Sequence, residues 1–552
     1  MYVRLTPGKP RKDGSKAQYV QLAHNRWDPV KGRSQVQVVH NFGRADTVDM
    51  AGMRRLAASI TRFTDSGVAG PEPVDGADGL RLISSRPMGA AWLLDGLWHR
   101  LGIADAIGAA VAGRRIDPGV ERVLFALTVN RAIAPCSKLA ALEWAARDVH
   151  LPGVPDLGAD PQVFYRAMDL LVEHDEAIQE QVFFAVAGTL GLACDVLPFD
   201  TTSTYFETPD DDDFRRYGHS KDHRPDRPQA VIGLAVTKEG IPVRVWSWPG
   251  NSADSAVITT VHEDLAAWRL HRVLWVGDRG FTSAQNRELL QTGGGHVLFG
   301  EKLRGGADNA AALARPGRYR QIADNLHIKQ VWVGHGTTRR RFIVVRNRAE
   351  ATRDAATRTR HLERIRTDLD AIGRKHGDAR LTAEGELLAH PVLKRYLHRR
   401  NGHLAINTRA VAAEEKLDGK FLLSCTDDSL PADDAARLFK GLLDVERAFR
   451  DLKSVLEVRP VYHRTEQRIR AHVLLCFLAL VLVRVAERAN PDTTWPALRR
   501  ELDRIHLIEL AGSSGHATQR TDLTDAQQKI FTNAQVPPPP LVHTFKPTPG
   551  AA

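Results

Sequence analysis

Val196-Leu-Pro-Phe-Asp-Thr-Thr-Ser-Thr-Tyr-Phe-Glu207 carries a carboxylate directly out of an apolar run. Val196 to Phe199 reads as a strand crossing a core; Asp200 follows, then hydroxyl residues and the bulky Tyr205 and Phe206. An anionic Asp inside or at the exit of a strand is costly unless something offsets its desolvation. A bound divalent cation is one common solution, so partner carboxylates are to be sought along the chain.

Beyond Glu207, Asp210 to Asp213 is an acid run that reads as a solvated loop. Gly218-His-Ser-Lys-Asp-His-Arg-Pro-Asp-Arg-Pro-Gln229 is a basic loop punctuated by proline. Ala230 to Val236 and Gly240 to Trp246 are then predicted as antiparallel neighbours, forming a meander with the Asp200 strand. Gly250 to Asp254 reads as a turn capping a helix from Ser255 to Trp268. Arg272-Val-Leu-Trp-Val-Gly-Asp278 places a second carboxylate just past a short apolar strand. The strand, helix, strand order implies a crossover, which brings Asp278 to the same sheet end as Asp200. A helix N-cap or an ion pair with Arg279 is the plainer role for Asp278.

The third acid lies on a predicted helix, Phe439 to Lys453, where Glu446, Phe449, Arg450 and Lys453 recur at three- and four-residue steps and share a face. Taken alone, Glu446 and Arg450 make an ordinary surface pair.

Outward from this centre the organisation is α/β and multidomain. Residues 1–66 are predicted as a small antiparallel hairpin with a basic tip around Asn25 to Arg33, plus a helix from Thr47 to Thr64; a Gly/Pro-rich linker, Gly67 to Gly79, follows. Residues 80–192 show helical periodicity, as at Leu93, Leu94, Leu97 and Leu101. Within them, Asn130 to Trp144 reads as a helix end, a turn and a Ser137-capped helix, which suits either a DNA-reading helix pair or a plain packing unit. Residues 193–300 hold the sheet with both aspartates. Residues 301–425 form an insertion with strands at Val331 to Val333 and Phe342 to Val345, and a long charged helix striped by Leu362, Ile365, Leu369 and Ile372. Residues 426–490 return to the sheet region with the Glu446 helix, and residues 491–552 carry a helical region and the Pro537 to Pro540 tail.

Composition narrows the function classes. With 552 residues, 43% hydrophobic, the chain can bury several cores. A formal charge of +10 favours a polyanionic partner, nucleic acid first. Cys136, Cys194, Cys425 and Cys476 are widely spaced, against a zinc ribbon and a disulfide scaffold. The apolar run Val473 to Val483 is too short to cross a bilayer, and the N-terminus has no apolar run behind its basic residues, so no membrane partner and a cytoplasmic location, at the nucleoid when DNA-bound, are expected.

Taken together, Asp200, Asp278 in Val-Gly-Asp-Arg-Gly, and Glu446 with Lys453 resemble the DDE transposases of bacterial insertion sequences. More narrowly they are similar to the group whose Glu helix carries Y-x2-R-x3-E-x6-K, with Phe439 in place of the Tyr and Leu442 in place of the Arg. Ser220 to Asp226, Gly250 to Asp254, Asn130-Arg131 with Ser137-Lys138, Arg459 to His463 and Arg470 to Leu478 extend the resemblance over about residues 120 to 485, in order. It implies a ribonuclease-H-like mixed sheet flanked by helices and interrupted by a β-rich insertion. It also implies Asp200, Asp278 and Glu446 as catalytic residues holding Mg²⁺ or Mn²⁺, as two ions, for phosphodiester cleavage and transfer of a 3′-OH. Lys453 and Arg450 would hold DNA phosphates, with Lys221, Arg224, His463 and Arg464 as further candidates. The partners it implies are double-stranded transposon ends and target DNA, and the reaction suggests a homodimer bridging two ends. A metal-dependent nuclease without strand transfer and a DNA-binding protein with a decayed centre are the alternatives.

Overall fold

The computed structural model describes residues 2–10, 16–28, 33–45, 81–112, 119–158, 160–270, 272–459, 461–512 and 515–547. The expected Thr47 to Thr64 helix, the linker and the hairpin tip at 29–32 lie outside them. The chain divides into two compact units, Met1–Leu80 and Arg81–Ala552.

In the first unit, β1 (Tyr2–Pro10), β2 (Lys16–Asp28) and β3 (Arg33–Arg44) form an antiparallel sheet in that order. The expected hairpin is β2 with β3, paired from Tyr19 opposite Arg44 to Asp28 opposite Arg33. Strand β1 is additional: its Pro7 and Pro10 argue against a strand from sequence, and the ladder accommodates them with a register shift between those two residues.

The second unit is built on a nine-stranded mixed sheet. Its strands are β5 (Val196–Tyr205), β6 (Gln229–Val236), β7 (Pro242–Pro249), β8 (Leu274–Gly277), β9 (His296–Glu301), β10 (Arg320–Ala323), β11 (Leu326–Val333), β12 (Arg340–Asn347) and β15 (Lys420–Cys425). The order is β10-β11-β12-β15-β9-β8-β5-β6-β7. The meander holds as expected: β5, β6 and β7 pair antiparallel, whereas β8 runs parallel to β5 and β9 parallel to β8. The strands of the insertion extend this sheet through β15, which pairs antiparallel with both β9 and β12. Between β12 and β15, the helices Arg348–Gly373 and Gly377–Ala389 and the hairpin β13 (Leu397–Arg400) with β14 (His403–Ile406) close a separate small core. Ile365 and Ile372 are buried in it and Leu362 and Leu369 pack beside them, the stripe read from the sequence.

The largest core surrounds the helix Glu466–Ala489, against which the helices Val120–Ile133 and Gln162–Glu173 and strand β7 pack. By length and composition this helix could cross a bilayer, contrary to the expectation from the shorter run Val473 to Val483, but 94% of its most apolar window is buried inside the fold. It is a core helix, and each fully buried Leu or Val in it contributes roughly 1.5 to 3 kcal/mol relative to exposure.

The C-terminal region departs from a helix and a trailing tail. After the helix Trp495–Leu502, β16 (His506–Gly512), β17 (Gly515–Arg520) and β18 (Val542–Pro547) join β4 (Arg81–Pro87) in a sheet of order β18-β17-β16-β4. The proline run is held down: the Trp92 indole donates to the Pro537 carbonyl at 2.9 Å and Arg520 to that of Pro539 at 2.8 Å. Proline has no N–H, but its carbonyl accepts normally, and those acceptors anchor this segment.

Candidate active site

Strand β5 is buried on both faces from Val196 to Thr204, except at Asp200. That is why its apolar run is continuous rather than alternating. Leu197 and Phe199 point into the core under the helix Asp254–Ala267, and Val196 into the core under the helix Ala432–Lys440. Asp200 therefore shares the second face with Val196, Pro198 and Thr202, two residues per step.

Asp278 lies just past β8. The parallel register pairs Val196 with Leu274 and Pro198 with Val276, so two residues further along each strand Asp278 comes level with Asp200. The pairing of β8 with β9 sets Gly277 against Phe299, which continues the level to Gly300. Gly300 leaves room there: a Cβ on it would lie 2.7 Å from the Phe439 ring and 3.5 Å from Asp278 Oδ1. The ring standing at the signature's Tyr position thus packs beside the second aspartate. It stacks on Phe421, with centroids 6.1 Å apart.

A third carboxylate, which sequence reasoning treated as part of a turn, also reaches this sheet end. Asp254 opens its helix, accepts a short hydrogen bond from Thr201 Oγ1 and pairs with Lys221 at 3.3 Å. Lys221 Nζ donates to the Thr201 carbonyl at 2.8 Å and to its hydroxyl at 2.6 Å, and lies 3.9 Å from Asp200. Burial pushes the Asp200 carboxyl up to about 6, and the negative Asp254 and Asp278 add to that push; Lys221 and the Thr201 N–H oppose it. The signal for Asp254 was its spacing behind Gly250-Asn251, but a local turn explains those residues equally well from sequence.

Glu446 is exposed on the helix Leu442–Ser454, at the edge of its buried stripe of Val445, Ala448, Phe449 and Leu452. A Cβ on Gly441, just before the helix, would lie 3.7 Å from Pro198, and Lys453 near its end donates to Thr202 at 2.7 Å. The helix thus runs along the Asp200 face of β5. Glu446 lies on the stretch of this helix between those two contacts. Among the described residues, no three His, Cys, Asp or Glu side chains are already close enough to share one metal ion.

The remaining candidates divide between surface and interior. Lys453 is turned inward, sharing Asp222 Oδ1 with Arg459 at 2.7 and 2.8 Å. Arg450 and Arg464 are exposed. Arg224 grips Asp226 through two hydrogen bonds, which hold that carboxyl down to about 2, and stacks on Tyr205 at 4.9 Å; Arg459 also lies over this ring, at 5.3 Å. His463 lies in an interior cavity, where burial, with Lys138, Arg468 and Arg131 adding, pushes its imidazole down to about 4. It is neutral at pH 7 and cannot act there as a cation. Ser137 caps the helix Lys138–Glu143 as expected, but Lys138 is buried and lines a cavity, which does not suit the reading of base edges.

Residues 195–482, more than half of the chain, match the model of the transposase DDE domain. The chain belongs to this transposase family. Residues 8–72, in the first unit, match the N-terminal domain of IS1634 family transposases, which makes this an insertion-sequence transposase, an enzyme of DNA strand cleavage and transfer. DDE transposases use divalent metal ions. Among solved structures, the transposase is similar to a piggyBac transposase synaptic complex with hairpin DNA at 10% identity and a TM-score of 0.33, covering 75% of this chain and 78% of that one. No curated protein sequence matches it.

The donor set of the transposase suits a divalent cation: hard carboxylate oxygens, gathered where burial, with mutual repulsion adding, holds the Asp200 carboxyl up to about 6. A cation at this sheet end would relieve that repulsion.

Proposed function

We propose that this transposase cleaves insertion-sequence ends and joins the freed 3′-OH to target DNA, with Asp200, Asp278 and Glu446 as its catalytic acids. The observation that carries the reading is the level placement of Asp200 and Asp278 on adjacent parallel strands, with the Glu446 helix lying along the same face. The order β7-β6-β5-β8-β9, three antiparallel strands followed by two parallel ones, supports a ribonuclease-H-like catalytic sheet.

Mg²⁺ or Mn²⁺, as two ions held by these acids, would supply activation of the attacking oxygen and neutralisation of the leaving 3′ oxygen. The chain's own residues prepare the place. Thr201 and Asp254 hold Lys221 beside Asp200, so part of the acidic charge is balanced before a polyanion arrives. Lys453 pins Thr202 and, through Asp222, Arg459, which keeps the Glu446 helix against β5. Exposed Arg450 and Arg464 are free to meet the phosphates of double-stranded DNA, and the bridging of two ends calls for a homodimer.

The test is to incubate the full-length protein with a duplex carrying the element's own terminal sequence and a supercoiled plasmid, with and without Mg²⁺. The proposal expects end cleavage and end-to-plasmid joining, both dependent on the ion. Cleavage without joined product would reduce the enzyme to a nuclease, and binding without cleavage to a decayed transposase.

A further inference from the structure

A second polar centre lies in the interior, between the helices Val120–Ile133, Lys138–Glu143 and Glu466–Ala489 and the segment that follows Lys453. It is a cavity of about 210 Å³ lined by Arg131, Lys138, Tyr165, His463 and His472, with exposed Leu139 and Tyr462 at its rim. Arg131 and Lys138 are 4% and 5% exposed, and among the described residues neither forms an ion pair with a carboxylate. Among the described residues, the hydrogen-bond partner of Lys138 Nζ is His472 Nδ1, at 3.4 Å. That imidazole is the neutral tautomer with its proton on Nε2, which donates to the Val458 carbonyl at 3.0 Å. The guanidinium of Arg131 reaches the Glu457 and Cys136 carbonyls and Asn130 Oδ1, all neutral acceptors, and its Nε has no partner.

Two buried cations with no counter-charge are expensive to hold. Burial, with Arg131 adding, pushes the Lys138 ammonium down to about 7. A guanidinium fork beside a compact ammonium is the donor pair that suits a tetrahedral oxyanion, and the neutral His463 in the lining adds an uncharged donor.

We propose that this cavity is a binding site for one phosphate group, separate from the carboxylate cluster. A DNA backbone phosphate is the favoured source. Arg459 shares Asp222 with Lys453, and Tyr462 and His463, a few residues on, line this cavity, so one strand of nucleic acid could lie along both. Occupancy by DNA rests on the transposase reading; the affinity for phosphate does not.

Thermal unfolding of the full-length protein in inorganic phosphate, against sodium chloride of equal ionic strength, separates the two. Wild type is expected to gain Tm in phosphate, Lys138→Arg to keep that gain, and Lys138→Met to lose it. Lys138→Met replaces a buried unpaired charge with an apolar chain of similar length, so it should fold; Arg131→Gln provides the same comparison independently. An equal phosphate gain in wild type and in both charge-removing variants overturns the site. Binding of a short duplex is then followed against salt: a slope of log K on log salt lower by about one in Lys138→Met assigns the site to a DNA phosphate. An unchanged slope alongside the phosphate-specific gain in Tm assigns it to a free phosphate.

Discussion

Asp200 and Asp278 stand level on adjacent parallel strands, because β5 and β8 pair with Pro198 opposite Val276 and each aspartate follows two residues later. Neighbouring strands are about 4.8 Å apart, which sets two carboxylates side by side at one sheet end. Removing either acid is therefore expected to stop chemistry and spare the fold. Asp200→Asn and Asp278→Asn should each lower end cleavage more than about 100-fold, since even residues behind metal ligands cost 10- to 100-fold. Duplex binding in a gel-shift assay should stay within a few-fold of wild type.

Thr201 shows where the support of the site ends and its chemistry begins. Its hydroxyl donates to Asp254 and accepts from Lys221. Thr201→Ala should therefore slow cleavage by roughly 10-fold, well short of Asp200→Ala. Single-turnover rates for the two variants would refute this supporting role if the losses came out equal.

Asp222 joins Lys453 and Arg459 in a largely buried cluster. Asp222→Ala leaves two cations facing each other without their acceptor, and breaking a buried pair in this way costs about 3 to 5 kcal/mol. Urea unfolding should report a loss of that order, together with weaker activity as the Glu446 helix loosens from β5.

Gly300 is required for space. A Cβ there meets the Phe439 ring at 2.7 Å, so Gly300→Ala should destabilise by about 1 to 3 kcal/mol, and Phe439→Leu in the same chain should recover part of it. Additive losses in the double variant would contradict that contact.

Lys138 gives a pH dependence of definite sign. Its folded value of about 7 lies below the ordinary 10.5, so the stability this group confers when neutral is present above 10.5 and is lost as pH falls toward and through 7. Lys138→Met should therefore gain on wild type as pH drops from about 10.5, level off below 7, and differ by on the order of 4 kcal/mol across that window. Denaturation midpoints of the two proteins across this range measure it.

The centre of the site was legible in the sequence because it obeys local rules. A continuous apolar run followed by Asp marks a strand buried on both faces, and it does so at both Asp200 and Asp278. Glu446 and Lys453 lie two turns apart on one helix flank, which spacing alone determines. Asp254 was hidden because its partner Thr201 lies 53 residues away, and a turn ahead of a helix accounts for an acid there without any partner. Lys138 read as a surface group because the helix that buries it, Glu466–Ala489, is over 300 residues downstream, and His463 did because its ring neighbour Tyr165 is about 300 residues upstream. The C-terminal strands were obscured for a similar reason: β16 gains its neighbour β4 from the far end of the unit.

The most direct test of the central claim is the Mg²⁺-dependent joining of an end duplex to plasmid by wild type, Asp200→Asn, Asp278→Asn and Glu446→Gln, scored for cleaved and joined product alongside duplex binding. The account predicts that all four proteins bind DNA and only wild type cleaves and joins. Joining by Glu446→Gln at the wild-type rate would contradict it, because the helix beside β5 would then contribute no acid to the reaction.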